Sequence, residues 1–308
     1  MRSNDTTPSL SVVVPVYNRR NLVMETLHSI ASQKGERFDL IVVDNGSTDG
    51  SYELLQSELP RLAHDGMSVR LLRQETPGAC RARNTGLDAV ETRWTMFFDS
   101  DDIMLPGHIH RMMDAARQHE DAEVIGAPVM LHDGRRPLRR LPFGKSLATH
   151  LMHSHWSTQR YMTRTSLVRK VGGWNEALPG WDDFELGVRL LLEHPSVVVI
   201  DKAPLVWQRQ HEESITRLDF NHNPAKWELS LDTIARLLAG REEMKYVAAR
   251  NAMLAANYMR EGHPELASPR YALALEQCTR HQRAAIRLIY HTVRLTGHGA
   301  PFLALRIL

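Results

Sequence analysis

Residues Trp94 to Asp102 read WTMFFDSDD, a short apolar run that ends in three carboxylates. Carboxylates at the carboxyl end of a buried strand are costly unless a cation faces them. Asp99 and Asp101 offer only oxygen, which suits a hard divalent ion, Mg²⁺ or Mn²⁺, shared with phosphate oxygens. The segment therefore predicts a site for a nucleoside diphosphate. An acidic loop alone also fits a helix cap or a solvated surface, and Asp102 reads as a start for the helix expected near Pro106.

The elements that must position these carboxylates alternate in type. Leu10 to Val16 is a Val-rich apolar run, and Asn21 to Gln33 places Leu22, Val23, Thr26, Leu27 and Ile30 on one helical face. Leu40 to Val43, Ser47 to Leu59, Val69 to Leu72, Cys80 to Val90 and Trp94 to Phe98 continue the strand and helix alternation. This predicts an α/β fold, Rossmann-like, with a mostly parallel central sheet covered by helices on both faces and ligands beyond the strand ends. Asp133 and Gly134 mark a hairpin, a helix is expected from Asp182 to about Glu193, and Ser196 to Ile200 and Leu205 to Gln208 read as strands. From about Pro224 the pattern is helical, with breaks at Gly262 to Pro264, Pro269 and Gly297. A domain of residues 1–218 followed by a helical extension, 219–308, is the expected organisation.

Composition narrows the function classes. The 308 residues are 43% hydrophobic and 24% charged, enough for a large core. A formal net charge of +2 gives no reason to expect nucleic acid as a partner. Cys80 and Cys278 are too few for a disulfide framework or a zinc site, which fits a cytoplasmic setting. No run approaches the roughly 18 apolar residues of a membrane span, so membrane contact is expected to be peripheral at most. The first strand runs into PVYNRR without a G-x-G-x-x-G turn, and no P-loop pattern is present, so phosphate must be held by metal and side chains.

SVVVPVYNRR, LIVVDNGSTDGS, PGACRARNTGL, FFDSDD and VGGWNEALPGWDDFELGVRL occur here in that order. Together they resemble family 2 glycosyltransferases of the GT-A fold, over about Leu10 to Thr216. The resemblance implies inverting transfer of a sugar from a nucleoside diphosphate donor to a hydroxyl acceptor, usually with a divalent metal. The implied product is a glycan, polysaccharide or lipid-linked oligosaccharide.

By the same resemblance Pro15, Tyr17 and Asn18 hold the nucleoside, and a tyrosine ring can cover a base. Asp44 matches the position that accepts a hydrogen from the base, which leans toward UDP, although guanine offers such a donor too. Arg83, favoured over Arg81, and Asn84 lie in the RARN segment expected at the diphosphate or donor sugar. Asp99 takes a ribose or metal-water role and Asp101 the direct metal contact. Asp183, followed six residues later by Arg189, matches the catalytic base that takes the acceptor proton, with Asp182 the alternative. His211, in QRQHEESIT, matches a metal ligand of some members, and Trp181 is the tryptophan expected to meet the acceptor.

Two other classes stay open in the sequence: a silent glycan-binding or scaffold protein of the same fold, and a sugar nucleotidyltransferase. The second should carry a glycine-rich amino-terminal loop that PVYNRR lacks. At the carboxyl end, Arg280, Arg283, Arg287, Arg294 and Arg306 follow Glu276 with no further acidic residue. Ile286, Ile289, Tyr290 and Val293 recur at helical spacing beside them, so the segment reads as a basic amphipathic helix suited to an anionic lipid surface or to packing on the helical extension.

Overall fold

The computed structural model describes residues 8–210, 220–276 and 278–308. The chain divides into two compact units. The first is built from 8–144, 156–177 and 193–210, the second from 145–155, 178–192 and 220–308.

In the first unit, β1 (Leu10–Val16), β2 (Phe38–Asp44), β3 (Met67–Arg73) and β4 (Trp94–Phe97) alternate with α1 (Val23–Ala31), α2 (Ser51–Leu62) and α3 (Ala79–Asp88). β1 is buried along almost its whole length because helices cover both sheet faces, which is why it is apolar without alternation. After β5 (Ile103–Met104) and α4 (His108–Gln118) come β6 (Val124–Gly126), β7 (Val129–His132) and β8 (Pro137–Leu141). The unit is completed by β9 (Tyr161–Arg164), α6 (Thr165–Lys170), β10 (Val197–Val199) and β11 (Val206–Arg209).

The seven-stranded sheet has the order β10-β6-β9-β4-β1-β2-β3, and only β9 runs antiparallel to its neighbours. β1 lies between β4 and β2, so the chain leaves it in opposite directions, and a crevice opens at the carboxyl ends of these three strands. Val16 is level with Asp44, and Asp44 with Arg73. A smaller sheet runs β5-β11-β7-β8. The hairpin expected at Asp133 joins β7 and β8, with Asp133 Oδ1 accepting from the amides of Arg135 and Arg136.

The second unit is helical: α5 (Leu147–His153), α7 (Asp182–Leu192), α8 (Pro224–Leu237), α9 (Met244–Arg260), α10 (Pro264–Glu276), α11 (Arg280–Thr296) and α12 (Ala300–Ile307). Its core joins Phe184, Val188, Leu231, Ile234, Leu254 and Tyr258 to Ile286, Ile289 and Val293. Two expectations need correction. Pro269 does not break a helix; it lies inside α10, where burial of Ala267 and Ala274 offsets the one lost backbone bond. The apolar face of α11, with Ile286, Ile289, Tyr290 and Val293, is buried in this core and is not free to meet lipid.

A polar clamp crosses the same bundle. Arg270 on α10 donates to both carboxylate oxygens of Asp232, to Glu228 and to Asn251, and the Tyr258 hydroxyl donates to Glu228. Burial works against the Arg270 charge, but bonds to Asp232 and Glu228 outweigh it and push its pKa above the ordinary arginine range. Arg270→Met strips two carboxylates of their cation. Because the Asp232 side chain keeps 45% exposure, the expected loss is about 2 kcal/mol, below that of a fully buried pair. Urea unfolding with an unchanged midpoint would contradict this reading of the clamp.

Candidate active site

One group of candidate residues lies at the ends of β1 and β2. Asp44 closes β2 with none of its surface exposed. Its Oδ2 accepts from the amides of Gly46 and Ser47, both at 3.2 Å. Its Oδ1 is buried and has no hydrogen-bond partner among the described residues, an arrangement that costs free energy unless a donor arrives. Asn18, just past β1, adopts a left-handed backbone (φ 50°). Its amide donates to Ser47 Oγ at 3.0 Å and its Oδ1 accepts from Thr48 N at 2.8 Å, so the loops after β1 and β2 are tied together. Pro15 is within β1, level with Val43, and Tyr17 stands 49% exposed beside this junction. Asp49 accepts from the Ser51 hydroxyl and from the amides of Arg20 and Ser51; burial opposes its charge, but these bonds, the hydroxyl first, hold its carboxyl below the usual range.

Three arginines from different elements reach the acidic loop. Arg83 on α3 donates to Asp99 Oδ1 at 3.0 Å and lies 4.4 Å from the centre of the Trp174 ring. Arg19 donates to Asp101 Oδ2 at 3.4 Å. Arg209 on β11 donates its amide to Asp102 Oδ1, its Nε to the Asp101 carbonyl and a guanidinium nitrogen to Glu25. Burial, then the Asp101 and Asp99 carboxylates, push the Asp102 carboxyl well above the ordinary range. Asp102 therefore serves the loop and strand β11, not the start of α4. Asp99 and Asp101 keep 31% and 20% of their side-chain surface accessible.

The RARN segment reaches this loop because α3 packs hard on the sheet: a Cβ on Gly86 would lie 2.3 Å from Val13 Cγ1. Asn84 turns the other way. It accepts from Trp174 N and donates to Trp174 O and Glu176 Oε1, fixing the turn after Gly173. Gly173 has φ 67°, and a Cβ there would meet Asn84 Oδ1 at 2.7 Å.

A separate group of candidate residues belongs to the helical unit. α7 opens with Trp181, whose carbonyl accepts from Glu185 N and whose backbone is left-handed (φ 50°). Asp182 and Asp183 occupy the first turn, where the helix dipole favours a negative charge. Asp183 Oδ1 accepts from Phe184 N at 2.7 Å. Arg189 forms a two-pronged pair with buried Glu185, both bonds at 2.8 Å, so it anchors the helix one turn below the acidic pair. The Trp181 ring packs edge-on to Trp227 and Phe184 at 4.9 and 5.6 Å between centroids.

The structure thus gathers Pro15, Tyr17, Asn18 and Asp44 in one place, and Arg83, Asp99 and Asp101 in another at the adjoining strand end. Trp181, Asp182 and Asp183 lie together in the second unit. His211 lies outside the described residues. Sequence reasoning missed Arg19, Arg209 and Glu185. Only Glu185 had a signal, its four-residue spacing to Arg189 on a helix.

Comparison with known proteins places this geometry. The model of glycosyl transferase family 2 matches residues 11–171, just over half of the chain. The chain belongs to that family. An uncharacterized glycosyltransferase of Rickettsia felis is 25% identical over 230 residues, 70% of this chain and 36% of that protein. The chain covers 36% to 64% of the length of the first four curated relatives. Among solved structures, S. aureus TarS 1-349 in complex with UDP-GlcNAc aligns with a TM-score of 0.66 at 18% identity, covering 94% of this chain and 91% of that one. The mannosyltransferase PcManGT of Pyrobaculum calidifontis, in complex with GDP-Man and Mn²⁺, aligns with a TM-score of 0.60 at 16% identity, covering 97% and 86%. The fold is GT-A, with helices added at the carboxyl end.

Among the described residues no cluster of three or more His, Cys, Asp or Glu side chains could hold a metal alone. The donor set of Asp99 and Asp101 is nevertheless suitable. Mg²⁺ and Mn²⁺ are commonly bound by one or two carboxylates, with substrate phosphates and water completing the shell.

Proposed function

We propose that the protein transfers a sugar, with inversion, from a nucleoside diphosphate donor to a hydroxyl of a glycan or lipid-linked acceptor. The observation that carries this reading is Asp44: a buried carboxyl at a strand end with one oxygen unbonded. Such an oxygen suits the N3–H of uracil, and so favours UDP. Tyr17 covers the base, while Asn18 holds the loop against Ser47 and Thr48. Arg83 and Arg19 stand where a diphosphate would lie and partner Asp99 and Asp101 without it. Asn84 positions the loop at Trp174.

Asp101, with Asp99, would hold Mn²⁺ or Mg²⁺. Bound there, the ion would stabilise charge growing on the departing diphosphate. Asp183 takes the proton of the attacking hydroxyl, as the family pattern implies, and Asp182 beside it keeps the helix start acidic. Trp181 offers the acceptor a ring. His211 is proposed as a further ligand on the resemblance alone.

The carboxyl-terminal helix also supports peripheral contact with an anionic lipid surface, through a different face from the buried one. Leu288 and Leu295, seven residues apart on α11, are 51% and 83% exposed, and each directly follows an exposed arginine, Arg287 or Arg294. No acidic residue follows Glu276. Leucines flanked by arginines match the interface of an anionic bilayer, where guanidinium groups reach the phosphates. Among the described residues no helix is long and apolar enough to cross a membrane.

Two measurements test these roles. Asp183→Asn should cut transfer by about 10² to 10⁴ with nucleotide affinity nearly intact, whereas Asp101→Asn should weaken Mn²⁺-dependent UDP binding. A greater loss of turnover from Asp182→Asn would move the base by one residue, and unchanged Mn²⁺-dependent affinity in Asp101→Asn would remove that metal ligand. Liposome sedimentation tests the lipid face: the intact chain should pellet with anionic vesicles at low salt and Leu288→Ser/Leu295→Ser should not. Equal pelleting of the two would defeat it.

A further inference from the structure

The helical unit contains a cavity of about 130 Å³ beside Trp181. Its walls are apolar, with the rings of Trp181 and Phe220 on one side and Val293 and Pro301 among the other lining residues. Three polar side chains line it, Arg250 and Asn257 from α9 and His298 from the turn after α11.

Arg250 is an unusual cation. Its guanidinium lies against the rings of Trp181 and Phe184, 5.4 and 5.0 Å from their centres. Its Nε donates to the Leu151 carbonyl and its Nη2 to Ser154 Oγ. These bonds fix the head group but bring no negative charge. Among the described residues Arg250 forms no ion pair, and its Nη1 donates to no protein group. Burial lowers its pKa to about 10, so it stays charged at neutral pH. The two arginines of the same unit that sit comparably deep, Arg189 and Arg270, are each matched by carboxylates.

Arg250 is half-buried, and a cation partly screened from water with no counterion is held less favourably than a paired one, a cost that ring faces offset only in part. Among the described residues the lining of the cavity carries no carboxylate. Asn257, which also lines the cavity, makes no side-chain hydrogen bond among the described residues. Largely apolar walls, a guanidinium held by two hydrogen bonds, a nearby amide and an aromatic face describe a small-molecule site.

We propose that this cavity binds the anionic group, carboxylate or phosphate, of a sugar acid or sugar phosphate. Nη1 of Arg250 and the amide of Asn257 donate to the anion, and the Trp181 ring covers its carbon skeleton. Trp181 immediately precedes Asp182 and Asp183, so on the reading of the chain as a glycosyltransferase the cavity selects acceptors that carry a negative charge. That last step rests on the proposed function; binding of the anion does not.

Ligand-observed NMR titration of the full chain with glucuronate, glucose 6-phosphate and glucose tests the site. At least one of the two anions should bind with a Kd of about 1 mM, and glucose at least about tenfold more weakly. The stronger anion identifies carboxylate or phosphate as the preferred group. Arg250→Gln should abolish the preference. Because that variant also loses the bonds to Leu151 and Ser154, Asn257→Phe, which fills the cavity and leaves Arg250 in place, is the deciding variant and should abolish anion binding as well. UDP affinity, measured on the same samples, should be unchanged in both. Anions that bind no better than glucose, or that bind Asn257→Phe as well as the intact chain, overturn the proposal. A chain that binds the anion and not UDP refutes the donor reading instead.

Discussion

Asp44 sets the constraint on which the first unit depends. Placing a carboxyl with no exposed surface at the end of a central parallel strand is unfavourable, and two backbone amides satisfy only one of its oxygens. The loop after β2 is therefore bent around Oδ2, and the loop after β1 is fastened to it through Asn18. Because Val16 is level with Asp44, neither loop can shift without disturbing the register of strands that are buried on both faces. The unbonded oxygen is held in a rigid frame, which is the condition for a donor to be recognised by position.

The acidic loop after β4 works by a different balance. Asp99 and Asp101 each have an arginine from another element, while Asp102, buried and bonded to the Arg209 amide, connects the loop to β11. The two accessible carboxylates are thus kept apart in role from the buried one. In the second unit the same bookkeeping of charge separates structure from recognition: Arg189 and Arg270 meet carboxylates, whereas Arg250 meets rings, a carbonyl and a hydroxyl.

Much of this was legible in the sequence where periodicity dominates. The Val-rich run Leu10 to Val16, the helical face of Val23, Thr26, Leu27 and Ile30, and the turn at Asp133 follow directly from local rules. The ordered motifs also marked the residues that gather at the strand ends. What was not legible depends on tertiary partners. Nothing in LIVVDNGS shows that one oxygen of Asp44 would be unbonded, and nothing in KYVAAR shows that Arg250 would be half-buried with no carboxylate among the described residues beside it. The apolar stripe of α11 was visible, but its destination in the core was not, since a lipid surface and a helical bundle ask for the same pattern. Pro269 was read as a break because a single helix cannot report the packing that supports it.

The most direct test of the account is a calorimetric comparison of UDP with its N3-methyl analogue, which differs in lacking the N3–H that Asp44 Oδ1 would accept. The intact chain should bind the analogue at least about tenfold more weakly, the loss from leaving a buried acceptor unpaired, and Asp44→Ala should remove that difference. Equal affinity of the intact chain for the two nucleotides would contradict the role given to Asp44 and with it the reading of the strand ends as a nucleotide site.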